Sequence, residues 1–229
     1  MTEGPRHRPV ITIDGPAGAG KSTTARAVAK QMGFRHLDSG ALYRALAFAL
    51  QQEGVPESDW PALEPEQLDR LGVVVEGDGV NIYRKAVLLS SELRTPEVTG
   101  SVSAVAGLPA VRDWLLAVQR SVGAHGNLVA DGRDMGTVVF PDADVKIFLV
   151  AALEERARRR LLQDYGREPT SDEVQEAARL IGLRDQTDES RSLSPLRCPE
   201  GAVKVDTTGL TFEDQVAVIL SQLKDLTRL

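Results

Sequence analysis

Gly15, Gly20, Lys21 and Ser22 stand at the spacing G-x-x-x-x-G-K-S within GPAGAGKST, residues 15–23. The chemistry of that pattern is polyphosphate binding. The backbone of the loop Gly15–Gly20, through Pro16, can turn the N–H groups of Ala17, Gly18, Ala19 and Gly20 toward phosphate oxygens, and the glycines leave room for close approach. Lys21 would reach the β- and γ-phosphates, the Ser22 hydroxyl would take one Mg²⁺ coordination site, and Thr23 carries the loop into a helix. Such a loop needs a buried strand before it and a helix after it. The β-branched run Pro9-Val10-Ile11-Thr12-Ile13 supplies the first, and residues 21–32, with Ala, Val and Met at helical spacing, supply the second.

Three other clusters carry charge where a ligand could use it. LDSGALYR, residues 37–44, ends a short strand and enters a helix, so Arg44, one helical turn beyond Gly40, can point back toward the same ligand zone as the loop. Ser39 reads equally as a helix cap and Arg44 as a surface charge. LVADGRDMG delivers Asp131, Arg133 and Asp134 at the carboxyl end of an apolar strand, where α/β proteins keep their ligand residues; a surface turn is the plainer alternative. EERARRRLLQDYGRE places Arg156 and Arg160 on one helical face. Four arginines in five positions repel one another unless an anion is near, which suggests a closing lid over phosphate; pairing with Glu154 and Glu155 is the competing reading. Arg184, Asp188 and Arg191 share a helix face at i, i+4 and i+7, which suits a ligand face or an internal ion-pair ladder. His7, His36 and His125 show no metal-ligand spacing, and none reads as catalytic.

The elements that must position these groups alternate. Strands are expected at 34–38, 127–131, 145–150 and 203–206, with helices at 40–52, 109–122, 153–163, 171–189 and from a Thr211 cap to about 226. That rhythm implies a parallel sheet covered on both faces. It is broken by a proline- and acid-rich stretch at 55–68, read as a linker with one helical turn. It is broken again by Val73–Glu76 and Val80–Tyr83 around Gly77-Asp78-Gly79, a hairpin. Thr95 followed by Pro96 is a helix start. The expected organisation is one domain: an α/β core at about 9–54, 125–155 and 170–229, an insert at about 55–124, and a lid at about 156–169.

The chain has 229 residues, 42% hydrophobic and 26% charged, with net charge −6, which argues against a general nucleic-acid binder. Its cations are 21 Arg and 6 Lys, and Arg is suited to bidentate phosphate recognition. The single cysteine, Cys198, allows no internal disulfide and fits a reducing cytoplasm. No apolar run suggests a membrane span or signal peptide, and nothing suggests an extended interface, so a monomer is expected.

Taken in order, GPAGAGKST, LDSGALYR, SAVAGLPAVR, DGRDMGTVVFPDADVKIFL and RDQTDESRSLSPL resemble the bacterial cytidylate kinases, over about residues 9–220. The resemblance implies a P-loop three-layer fold with an inserted monophosphate-binding subdomain and a short lid. It implies transfer of the γ-phosphoryl of ATP to CMP or dCMP, with Mg²⁺. By the same resemblance residues 15–23 hold ATP, and Arg44 and Arg133 grip the CMP phosphate. Ser103, Arg112 and Asp134 read cytosine, and Arg184 and Asp188 contact the sugar. Arg191 approaches the phosphates with Arg156 and Arg160, and Ser39 and Asp131 border the CMP site. Many relatives have Ser where this chain has Ala17. No general base is required, because the attacking phosphate is already anionic. A GTPase-like switch would need an N-K-x-D segment, which the chain lacks. Another small P-loop kinase, of UMP/CMP type or with a non-nucleotide acceptor, is the other reading.

Overall fold

A computed structural model describes residues 8–76 and 81–224. The chain opens with strand β1 (Val10–Asp14), helix α1 (Lys21–Met32), strand β2 (Arg35–Asp38) and helix α2 (Ser39–Gln52). The stretch expected to be a linker is more ordered than its composition suggests, with a 3₁₀ turn at Glu57–Ala62 and a short helix α3 (Pro65–Arg70). Trp60 anchors it, buried and donating its indole N–H to the Val55 carbonyl at 3.0 Å. Strands β3 (Val73–Glu76) and β4 (Asn81–Arg84) pair antiparallel as expected, while the Gly77-Asp78-Gly79 turn and Val80 lie outside the described residues. A third strand, β5 (Val87–Leu88), returns along β4. Sequence reasoning misses it because Lys85 and Ala86 take left-handed backbone, φ 48° and 66°, without the Gly or Asn that marks such a turn.

Helix α4 (Pro96–Ala106) begins as its sequence predicts, with the Thr95 hydroxyl accepting from the Val98 N–H and Pro96 in the first turn. Helix α5 (Pro109–Gly123) leads to β6 (Leu128–Gly132), a π-helical turn at Met135–Val139 and β7 (Val145–Val150). Helices α6 (Leu153–Tyr165) and α7 (Ser171–Ser190) follow, joined through Gly166 in left-handed backbone. Strand β8 (Val203–Asp206) and helix α8 (Phe212–Gln222) end the fold. Helix α8 ends at Gln222, where the Leu223 N–H turns back to the Leu220 carbonyl; residue 226, the expected end, lies outside the described residues.

All five core strands are parallel, in the order β2-β6-β1-β7-β8. β1 is central, and alternation along the strands divides the core between two faces. Ile11, Ile13, Val129 and Ile147 pack with Val28 of α1 and Ile219 of α8. Leu128 and Ala130 face the other way, toward Leu42 and Leu46 of α2 and Val111 and Leu115 of α5. The second cluster also takes in Trp60, Val73, Ile82 and Leu93, so the insert shares its hydrophobic core with α2 and β6. No single helix among the described residues is long and apolar enough to cross a membrane; α4 and α5 reach that length and composition together but meet at 97°.

Candidate active site

The loop after β1 and the carboxyl ends of β2 and β6 open onto one cleft of about 1160 Å³. The loop's glycines answer first to the protein's own packing. A Cβ on Gly15 (φ +146°) would lie 2.1 Å from the Leu149 carbonyl oxygen of β7, and one on Gly20 (φ +86°) 2.9 Å from the Gln215 side chain of α8. The sequence reading assigned that space to phosphate alone. Ala17 is held at both backbone ends: its N–H donates to Asp185 Oδ1 at 3.1 Å and its carbonyl accepts from Arg156 Nη1 at 2.9 Å. Arg156 and Asp185 also pair with each other, and Arg156 Nε reaches the Ala151 carbonyl at 3.0 Å. A buried ion pair between α6 and α7 therefore braces the phosphate loop.

Lys21 folds over the loop, its Nζ donating to the Pro16 carbonyl at 2.7 Å. Burial pushes its pKa well below the ordinary lysine value; Arg133 adds to this and Asp131 opposes it. The Ser22 hydroxyl donates to Asp131 Oδ2 at 2.5 Å, and the other Asp131 oxygen takes His36 Nε2 at 2.7 Å. His36, set aside on spacing, thus orients the carboxylate opposite the loop serine. Ser22 and Asp131 are hard oxygen donors of the kind Mg²⁺ accepts alongside substrate phosphates. Among the described residues no group of three or more His, Cys, Asp or Glu could hold a metal ion.

At the other end of the cleft Arg112 and Asp134 form a buried ion pair, with Arg112 Nη1 also donating to the Ala106 carbonyl at 2.9 Å. The Arg112 guanidinium lies 5.8 Å from the centre of the Tyr43 ring. Ser103 of α4 lines the same end. Asp188 accepts from Arg133 Nε at 2.9 Å and has Arg191 Nη1 at 3.5 Å, so the i, i+4, i+7 face is partly an ion-pair ladder. Arg191 has Asp188, Arg112 and Asp134 as charged neighbours and so stands at this end of the cleft. Arg44 Nη2 pairs with both oxygens of Asp38, at 3.0 and 3.2 Å. Asp38, not Ser39, caps α2, accepting from the Ala41 N–H at 2.8 Å; Ser39 is buried in the first turn.

Between the two ends positive charge converges. Arg184 is pushed down to about 10 by burial and then by Arg133, with Arg44 and Arg160 adding to it; Asp188 offsets part. Its Nε is buried without a hydrogen-bond partner among the described residues. Like charges held this close leave a strong site for an anion. Arg160 stands at the rim, paired with Asp164 at 2.7 Å and about two-fifths exposed. The side chains of Arg156 and Arg160, expected as lid partners, therefore stand in different places: one is buried under the loop and one is exposed at the rim, paired with Asp164.

Sequence reasoning passed over Asp14, Asp185 and His36. Asp14 closes β1 and accepts from the Met135 and Gly136 N–H groups at 2.9 and 2.7 Å, fixing the turn that presents Arg133 and Asp134. Burial raises its pKa to about 7. A carboxylate directly after the buried Ile13, and another beside Arg184, were the available signals.

A parallel α/β sheet, a phosphate loop at its carboxyl edge and a cluster of basic side chains facing that loop define a P-loop phosphotransferase. The family model described as cytidylate kinase matches residues 11–225. A cytidylate kinase of Stutzerimonas stutzeri is 46% identical over 222 residues, covering 95% of this chain and 96% of that protein. One from Carboxydothermus hydrogenoformans is 45% identical, covering 92% and 95%. A bifunctional pantoate ligase/cytidylate kinase of Synechococcus is 42% identical, and this chain spans 46% of its length. Among solved structures, an uncharacterized protein from Eubacterium ventriosum superposes with TM-score 0.51 at 10% identity, covering 96% and 99%, a likeness of fold alone. The chain belongs to the cytidylate kinase family.

Proposed function

We propose that the protein transfers the γ-phosphoryl of ATP to CMP or dCMP, giving ADP and CDP or dCDP, with Mg²⁺ carried on the nucleotide. The observation that carries this reading is the position of the cationic centre. Lys21, Arg44, Arg133 and Arg184 crowd the space between the phosphate loop and the Arg112–Asp134 pair. ATP on residues 15–23 and CMP at Arg112, Asp134 and Ser103 would bring donor and acceptor phosphates together there. Arg44 and Arg133 would exchange part of their pairing with Asp38 and Asp188 for the acceptor phosphate, while Arg184 and Asp188 border the sugar. Lys21 would leave the Pro16 carbonyl for the transferring group. Arg160 would close from the rim with residues 156–169, Arg156 would keep the loop in shape, and Arg191 would follow the acceptor.

Mg²⁺ would supply charge neutralisation at Ser22, oriented by Asp131. Nothing must remove a proton from the acceptor, so alignment and electrostatics suffice. The division into a core, an insert at about 55–124 and a lid, a monomeric state and a cytoplasmic site of action belong to the same reading, as does the absence of membrane or nucleic-acid partners. A coupled assay with CMP, dCMP, UMP, AMP, dTMP and shikimate tests it. Turnover highest with CMP and dCMP is expected, and turnover highest with any other acceptor would replace this reading with another small P-loop kinase.

A further inference from the structure

Beside the nucleotide cleft lies a second hollow of about 410 Å³, walled by Leu37, Ile82, Leu88 and Leu89 at the foot of the insert. Arg26, Asp38, Arg44 and Arg94 border both spaces. The Asp38 carboxylate is already engaged by Arg44 and the Ala41 N–H. Arg94 is exposed and, among the described residues, makes no hydrogen bond or ion pair, yet it is near enough to Asp38 to help lower that carboxyl. Arg44 and Arg94 thus face one carboxylate that is already engaged, with Arg26 of α1 lining the same hollow, an arrangement that calls for an added anion.

The placement of Arg94 is not accidental to its segment. It ends the 3₁₀ turn Ser91–Arg94, which Leu93 fastens into the core beneath it. The next residue, Thr95, caps α4, and α4 carries Ser103 at the base end of the cleft. Arg94 and Ser103 thus travel on one continuous piece of the insert. We infer that Arg94 is a further ligand of the acceptor phosphate, joining Arg44 from the insert side when a nucleoside monophosphate binds. The inference rests on the acceptor assigned above. Capture of the phosphate by Arg94 and of the base by Ser103 would draw the insert toward the core from both ends of one molecule, so a nucleoside without phosphate would hold it at one end only.

The test compares CMP with cytidine, binding each by isothermal titration to the wild type, Arg94→Gln and Arg94→Lys. Arg94→Gln should weaken CMP by about 10-fold or more, as expected for a charge-assisted contact, and leave cytidine within about twofold. Arg94→Lys, which keeps the charge without the planar fork, should fall between. In steady state KM for CMP should rise and KM for ATP should hold. If both variants keep the wild-type ratio of CMP to cytidine affinity, Arg94 does not touch the phosphate. Equal weakening of CMP and cytidine would make Arg94 a structural residue and overturn the inference as well. A wild type that binds CMP no better than cytidine would instead sink the acceptor assignment.

Discussion

In the proposed reading Asp134 would decide between pyrimidines by what it can accept. Its carboxylate would face the amine of cytosine, whereas uracil would turn a carbonyl toward it with no proton between them. An unsatisfied buried polar group costs about 1–3 kcal/mol, more when charged, so CMP should exceed UMP in kcat/KM by at least ~10-fold. Because Asp134 is buried against Arg112, truncation would leave that cation uncompensated at a cost of about 3–5 kcal/mol, and Asp134→Asn is the cleaner variant. Its amide can rotate to donate to uracil, so the CMP-to-UMP ratio should fall about 10-fold; an unchanged ratio in kinetics would remove Asp134 as the base reader. Asp14 makes a prediction in pH. Burial lifts its folded pKa from 3.8 to about 7. The native state therefore holds this proton more tightly, and the stabilisation is full below about pH 4 and lost as pH rises through about 7. Urea unfolding of the wild type against Asp14→Asn should show the wild type losing ground between about pH 5 and about pH 8, whereas a constant difference would mean that Asp14 does not titrate there.

Helix α6 places two arginines four residues apart in opposite circumstances. Arg156 is buried against Asp185 and the Ala17 carbonyl; Arg160 shares an exposed pair with Asp164. Removing one partner of a buried pair costs about 3–5 kcal/mol, and an exposed pair contributes about 0–1 kcal/mol. Arg156→Ala should lower the melting temperature and raise KM for ATP through the loosened loop. Arg160→Ala should melt like the wild type while kcat falls, because under the proposed closure its contact with the substrate phosphates would form only in the closed state. Calorimetry with steady-state kinetics separates the two, and similar melting temperatures would mean that α6 does not brace the loop. The i, i+4 spacing is visible in the primary structure, but which arginine turns inward depends on α7 delivering Asp185.

The insert and the core share one hydrophobic cluster, from Leu37 and Leu42 to Trp60, Val73, Leu93 and Leu115. The molecule should therefore unfold as a unit despite the break in strand–helix rhythm. Both tryptophans, Trp60 and Trp114, fall within residues 55–124, the proposed insert, so their fluorescence reports that region while far-ultraviolet circular dichroism reports the whole. The two thermal transitions should coincide; a fluorescence transition about 5 °C or more below the dichroism would make the insert a separate cooperative unit.

What the amino-acid sequence determines by itself is whatever depends on neighbours in the chain. The loop of residues 15–23 between strand and helix, the alternation that makes a parallel sheet, and the Thr95-Pro96 and Thr211 helix starts all rest on local backbone chemistry or periodicity, and each lies where it is expected. The charged groups after β6 are equally visible, because a buried strand must end where its ligand residues begin. The tertiary structure alone decides the partners. Asp14 meets Met135 and Gly136 across more than a hundred residues, Asp131 is shared between Ser22 and His36, and Gly15 is required by a carbonyl of β7. Spacing along a helix fixes which side chains share a face, but whether that face meets a carboxylate, a bare cation or open cleft depends on long-range packing, and packing sets the desolvation and Coulomb energies that turn a row of arginines into braces and a phosphate site.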